Sequence, residues 1–172
     1  TLSAPYRYPK SKRNQHSELS FAPAGLGPAA GIELISSRHF PDEVQGRLLA
    51  NQLSAGFRGT RWFDLSNRGS SFTAKQLETP LVLSTDNKCR LLGMSFAPDG
   101  SLYLLDFASG LIENTSESKR DPGRDHSHGR VWRMTYPSRP LQKPAKIVGT
   151  SPAELLALLS TSDLATRRLA RQ

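Results

Sequence analysis

The sequence predicts a mainly β chain, with antiparallel sheets over about residues 31–78 and 90–136 and a short helical hairpin at 151–172. Three observations carry this expectation. Short apolar runs of strand length recur with turn residues between them. Asn67-Arg68-Gly69 reads as a hairpin turn, and Pro98-Asp99-Gly100 is a strong turn, because proline presets one torsion and glycine accepts a positive one. From residue 151 the apolar period becomes helical, with Leu155, Leu156, Leu158 and Leu159 on one face.

The elements follow in order. Residues 1–30 hold Pro5, Pro9, Pro23 and Pro28, a basic run and a small-residue stretch. They show neither period and read as an irregular basic arm or linker. Strands are expected at 32–36, 47–52, 60–66 and 71–77, with a turn at His39-Phe40-Pro41. The last of these alternates Phe72, Ala74 and Gln76 against Thr73, Lys75 and Leu77. A second unit has strands at 90–97, 101–107 and 129–136, with a long loop from 108 to 128. Two successive four-stranded sheets of this kind are the signature of propeller blades. Residues 31–137 therefore read as one to two antiparallel blades, the C-terminal part of a β-propeller, and 138–150 as a Pro-rich connector. Ser151, Pro152 and Glu154 form a helix start with a reciprocal cap. Ser162 is expected to cap a second helix. The pair reads as the start of a helical repeat. A lone repeat cannot bury its outer face, so the chain is expected to be a piece of something larger.

Charge distribution narrows the function classes. The net charge is +8 over 172 residues. Arg7, Lys10, Lys12 and Arg13 supply four positive charges at one end, and Arg167, Arg168 and Arg171 against Asp163 supply a net two at the other. The centre is nearly balanced, so the basicity suits solvated ends better than a nucleic-acid face, and no nucleic-acid partner is expected. No apolar run reaches the ~18 residues of a membrane span. The single cysteine, Cys89, excludes an internal disulfide, a Cys-rich zinc site and a c-type haem attachment within this segment. It reads as a small, semi-buried side chain. There is no Gly-rich phosphate loop, nucleophile elbow or metalloprotease helix.

The densest polar cluster is Arg120, Asp121, Arg124, Asp125, His126, His128 and Arg130, running into the last strand. His126 and His128, two apart, share one side of an extended strand and could share a metal or a proton relay. Asp121 and Asp125 could offer hard oxygen ligands, for example to calcium. The competing reading is a structural network, with Asp121–Arg124 or Asp125–Arg130 pairs pinning the loop. Arg90 and Asp106, at strand ends, could face a central channel or hold blade to blade. Trp62, Phe63, Tyr103, Phe107 and Trp132 are expected in the core between blades, though an exposed one could stack on a carbohydrate.

A series of short motifs occurs in order: Gly31-Ile32-Glu33, His39-Phe40-Pro41, Ser84-Thr85-Asp86 with Arg90, and Pro98-Asp99-Gly100-Ser101-Leu102-Tyr103 with Asp106. Arg120-Asp121-Pro122, Arg124-Asp125-His126, His128-Gly129-Arg130 and Arg139-Pro140-Leu141 follow. The series resembles the planctomycete-type membrane-bound dehydrogenase propeller proteins, which are similar in fold to soluble quinoprotein sugar dehydrogenases. The resemblance implies a propeller, then HEAT-like repeats, then a c-type cytochrome, with this chain at the end of the propeller. It also implies a periplasmic or secreted sugar or polyol dehydrogenase that passes electrons to the cytochrome. In that reading His126 and His128 are the catalytic candidates, with histidine as base and arginine as clamp for an anionic quinone. Calcium is a further candidate cofactor, and the remaining blades or other chains are the expected partners. The alternative is a non-catalytic propeller and helical-repeat scaffold that binds a glycan or protein. Residues 113–119, E-N-T-S-E-S-K, favour it, because they lack the histidines relatives place before Arg-Asp-Pro.

Overall fold

The computed structural model describes residues 29–54, 57–108, 122 and 127–172; most of the expected N-terminal arm lies outside them. Two antiparallel sheets and two short helices make up the described chain, and neither sheet closes into a barrel. The first sheet is a meander of β1 (Ala29–Leu34), β2 (Leu48–Ser54), β3 (Phe57–Arg68) and β4 (Ser71–Gln76). The β3–β4 hairpin turns on Gly69 and Ser70, with Arg68 opposite Ser71. Gly69 has φ +59°, and glycine at the first central position is the type II′ pattern that suits the twist of paired strands.

The sequence led us to expect two four-stranded sheets. The first instead has a fifth strand, β5 (Val82–Leu83), and the second has three among the described residues. The reason lies in β3, whose twelve residues outrun β4. Gly59 and Thr60 are left to pair with Val82 and Leu83. Only glycine fits at 59, since a Cβ there would sit 1.9 Å from the Val82 carbonyl oxygen. The second sheet runs β6 (Leu91–Phe96), β7 (Leu102–Asp106), β8 (Arg130–Met134).

The core lies where β1, β2 and β3 pack over β6. Leu49, Phe63, Leu91, Leu102 and Leu104 are buried there, and Phe40 meets Phe96 edge-on at 5.6 Å. Backbones come close at Gly31, where a Cβ would lie 2.8 Å from Leu92 O. A buried polar relay crosses between the sheets. Thr60 Oγ1 donates to Asn51 Oδ1 at 2.7 Å, and Asn51 Nδ2 donates to Gly93 O at 3.2 Å. Both residues are fully buried, so each needs its partner. Of the aromatics expected in the core, Phe63 is buried, but Trp132 and Phe107 are 49% and 43% exposed. They sit at or beside β8, the last strand of the sheet, where the first sheet does not cover them.

A second knot joins segments far apart in the chain. His39 is buried, and its Nε2 accepts the Tyr136 N–H at 2.8 Å. Its proton therefore sits on Nδ1, which donates to Pro140 O at 2.9 Å. Ser37 Oγ donates to Gly100 O, and the carbonyl of the Gln142 side chain accepts from the N–H groups of Arg38 and His39. Gly100 has φ +86°, and a Cβ there would lie 2.7 Å from Ser37 Oγ. Arg139 Nη1 donates to Phe40 O and to Asp42 Oδ1. The segment after β8 is thus bound to the first sheet rather than extended away from it.

The helices are α1 (Pro152–Leu158) and α2 (Leu164–Ala170). Ser151 and Glu154 form the expected reciprocal cap. The expected Ser162 cap is corrected: Asp163 caps α2, its carboxylate accepting from Ala165 N at 2.9 Å and from Thr166 Oγ1. A carboxylate one residue nearer the helix outcompetes the hydroxyl, which instead accepts from Arg38 Nε. Ala165 reaches the core and Leu164 N–H donates to Ser36 Oγ, whereas α1 buries no residue.

Candidate functional site

Arg90, Asp106 and Arg130 meet where β6 begins, β7 ends and β8 begins. The register makes this so, since Asp106 lies opposite both Leu91 and Arg130. The Asp106 side chain is fully buried. Its Oδ1 accepts the backbone N–H of Arg90 at 2.8 Å and of Ala108 at 2.9 Å. Its Oδ2 accepts Arg130 Nε at 2.8 Å and the Trp132 indole N–H at 3.0 Å. Burial alone would raise its pKa. The Arg90 N–H, the indole and the Ala108 N–H outweigh that with the Arg130 charge, and hold the carboxyl below its ordinary range. Ala108 takes φ +52°, a left-handed conformation costing a non-glycine residue about 1 kcal/mol. It precedes the 109–126 stretch, and Asp106 and Arg130 join the two strands that flank that stretch.

The rest of the network is built from neighbours. Arg130 Nη1 donates to Asp86, whose carboxyl is lowered by that bond first and by the Lys88 N–H next. The same bond to Asp86 raises Arg130. Arg90 is 5% exposed. Burial lowers its pKa, and the like charge of Arg58 adds to this. Its Nη1 donates to Cys89 O at 2.7 Å. Burial pushes the Cys89 thiol up, which makes it a poor nucleophile at neutral pH.

Of the residues singled out from the sequence, these three converge. His128 stands exposed beside them in sequence, its Nδ1 2.9 Å from Ser127 Oγ. Arg120, Asp121, Arg124, Asp125 and His126 lie outside the described residues, and with them the Asp121–Arg124 and Asp125–Arg130 pairs. Arg130 is engaged by Asp106 and Asp86. Two members of the network were not foreseen as such. Asp86 stood only within Ser84-Thr85-Asp86, and Trp132 was read as core. The signal for Trp132 was its i+2 spacing from Arg130, which puts both on one face of β8. Among the described residues no group of three or more His, Cys, Asp or Glu side chains could hold a metal.

Beside the clasp lies a cleft of about 580 Å³ between the 82–85 segment and the second sheet. Leu91, Leu104, Met134 and Trp132 line it, with Ser84, Thr85, Arg133 and Thr135 among its polar groups.

A family model described as a domain of unknown function, DUF7133, matches residues 3–138. The chain belongs to the DUF7133 family. The match takes in both sheets and the clasp of this DUF7133 domain, and it ends before α1. No curated protein and no solved structure matches the chain. No described helix is long and apolar enough to cross a membrane.

Proposed function

We propose that this DUF7133 domain forms the end of a dehydrogenase-like propeller and that its part there is to hold the 108–128 loop against substrate. In this reading the whole protein is a periplasmic or secreted sugar or polyol dehydrogenase that delivers electrons to a c-type cytochrome. The observation that carries the reading is the Asp106 clasp: one buried carboxylate ties the residue that leads into the polar 109–126 stretch to the strand that follows it. A long, strongly polar connection between two strands is a common place for binding or catalysis. His126 and His128 are then the groups that take the hydroxyl proton of the substrate, and Arg90, Asp106 and Arg130 are positioning residues.

Neither Arg90 nor Arg130 fits the role of clamp for an anionic quinone. Arg90 is buried, and Arg130 is committed to two aspartates. Among the described residues no three carboxylates, histidines or cysteines group as calcium ligands either.

The test is dye-linked oxidation of sugars and polyols by the intact native polypeptide after quinone addition. Turnover that falls in His128→Gln supports the reading; no turnover with any substrate overturns it. A second reading, a non-catalytic scaffold, is favoured by the exposed apolar residues Leu92, Leu105 and Val131 on the second sheet. They form the kind of surface another protein part covers. Complex formation without turnover would select this reading.

A further inference from the structure

We propose that the cleft beside the clasp binds a neutral, hydroxyl-bearing ring, a pyranose being the simplest example. This goes beyond the oxidation above, since it asks nothing of the loop histidines or of a quinone. At about 580 Å³ the cleft has the size of a small-molecule site. Its floor is apolar, with Leu91, Leu104 and Met134 contributed by three adjacent strands.

Trp132 lines the cleft and is 49% exposed. Its indole is anchored, because Nε1 donates to the fully buried Asp106 and the Arg130 guanidinium lies over the ring at 5.5 Å. A ligand stacking on it immobilises no free side chain, which removes part of the usual cost of binding. The electron-rich face of an indole attracts polarised C–H groups, such as those on one face of a sugar ring.

Charge decides against an ionic ligand. Arg133, the cation lining the cleft, is paired with Asp99 at 2.6 Å and bonded to Ser101. Arg130 is shared by Asp86 and Asp106. The charge of each is thus balanced by an aspartate within the fold, which weakens attraction for an anion. The rim decides against a purely apolar ligand. Thr85 and Thr135 line the cleft, and their hydroxyls have no hydrogen-bond partner among the described residues. Each can donate and accept. A ring with one C–H face and a hydroxylated edge satisfies both walls.

The experiment uses the full chain carrying Trp62→Phe, which leaves Trp132 as the sole indole. Methyl β-D-glucopyranoside, methyl β-D-xylopyranoside and cellobiose are titrated against indole fluorescence, with toluene as the ring without hydroxyls. A saturable response to at least one sugar is expected. Thr135→Val, which leaves the clasp untouched, should weaken that binding roughly 2–10-fold, the value of one hydrogen bond. By calorimetry, Trp132→Phe should weaken it further. No saturable response to any of the sugars, a response to toluene alone, or unchanged affinity in both variants would overturn the proposal. Because the readout is binding, its failure is distinct from an absence of turnover.

Discussion

Replacing Asp106 by alanine should cost the domain about 3–5 kcal/mol, the range for breaking a buried ion pair from one side. The structure supplies the parts. The Arg90 N–H would be stranded in a buried position, at about 1–3 kcal/mol. The bonds from Arg130 and from the Trp132 indole are charge-assisted, and each is worth about 1.5–3 kcal/mol. Two circumstances limit the loss. Arg130 keeps Asp86 as a counter-charge, and Ala108 is only half-buried, so its N–H costs less to strand than that of Arg90. Urea unfolding followed by far-UV circular dichroism at neutral pH measures the change. Limited trypsin digestion measures the release of the loop, since Arg120 and Arg124 lie within it. Asp106→Asn keeps an acceptor for the two backbone donors but can turn an amide towards Arg130, so an intermediate loss is expected. A loss below about 1 kcal/mol in Asp106→Ala with unchanged cleavage would refute the clasp, because one stranded donor already costs that much. The sign of the pH dependence follows from the same contacts. A carboxyl whose folded pKa lies below the ordinary 3.8 contributes its stability above that value and loses it as pH falls through the depressed one. Acid unfolding should therefore be shallower in Asp106→Asn.

Three further outcomes are expected. Gly59→Ala should cost about 1–3 kcal/mol, because the new methyl meets the Val82 carbonyl and β5 must move; the Leu81 and Ser84 amides, which bond to β3, should then exchange faster with deuterium. Gly100→Ala should cost at least about 1–2 kcal/mol from its left-handed torsion alone, plus the clash with Ser37 and His39, read as a lower urea midpoint. Asp163→Ala should cost about 1–2 kcal/mol through the lost α2 cap, seen as a fall in thermal midpoint with reduced helical signal.

Much of this fold was legible from local signals. Alternation placed β4, the Pro98-Asp99-Gly100 turn placed the β6–β7 hairpin, and the capping box at Ser151 placed α1. What escaped depends on pairs distant in sequence. β5 has two residues, too few to show a period, and exists because Gly59 admits it. Asp86 lies 44 positions from Arg130, and nothing local marks it as a partner. For the candidate site, strand-end positions drew attention to Arg90 and Asp106 and the polar run before β8 to Arg130, and the fold brings the three together. Those signals could not say whether Arg90 and Asp106 faced a channel or held blade to blade, because that choice is made by register and twist.

The His39 knot also bears on how the chain can be made. The imidazole lies in the first third of the chain, yet its two partners come 97 and 101 residues later. Ser36 finds Leu164 after 128 residues. At a synthesis rate of roughly 5–20 residues per second, that last gap is roughly 6–25 s. The first sheet is complete at Leu83, and the His39 socket in it then stays unfilled until Tyr136, roughly 3–11 s later. A nascent chain must therefore carry a waiting half-core, and strand edges exposed for that long invite pairing with neighbours on the same message.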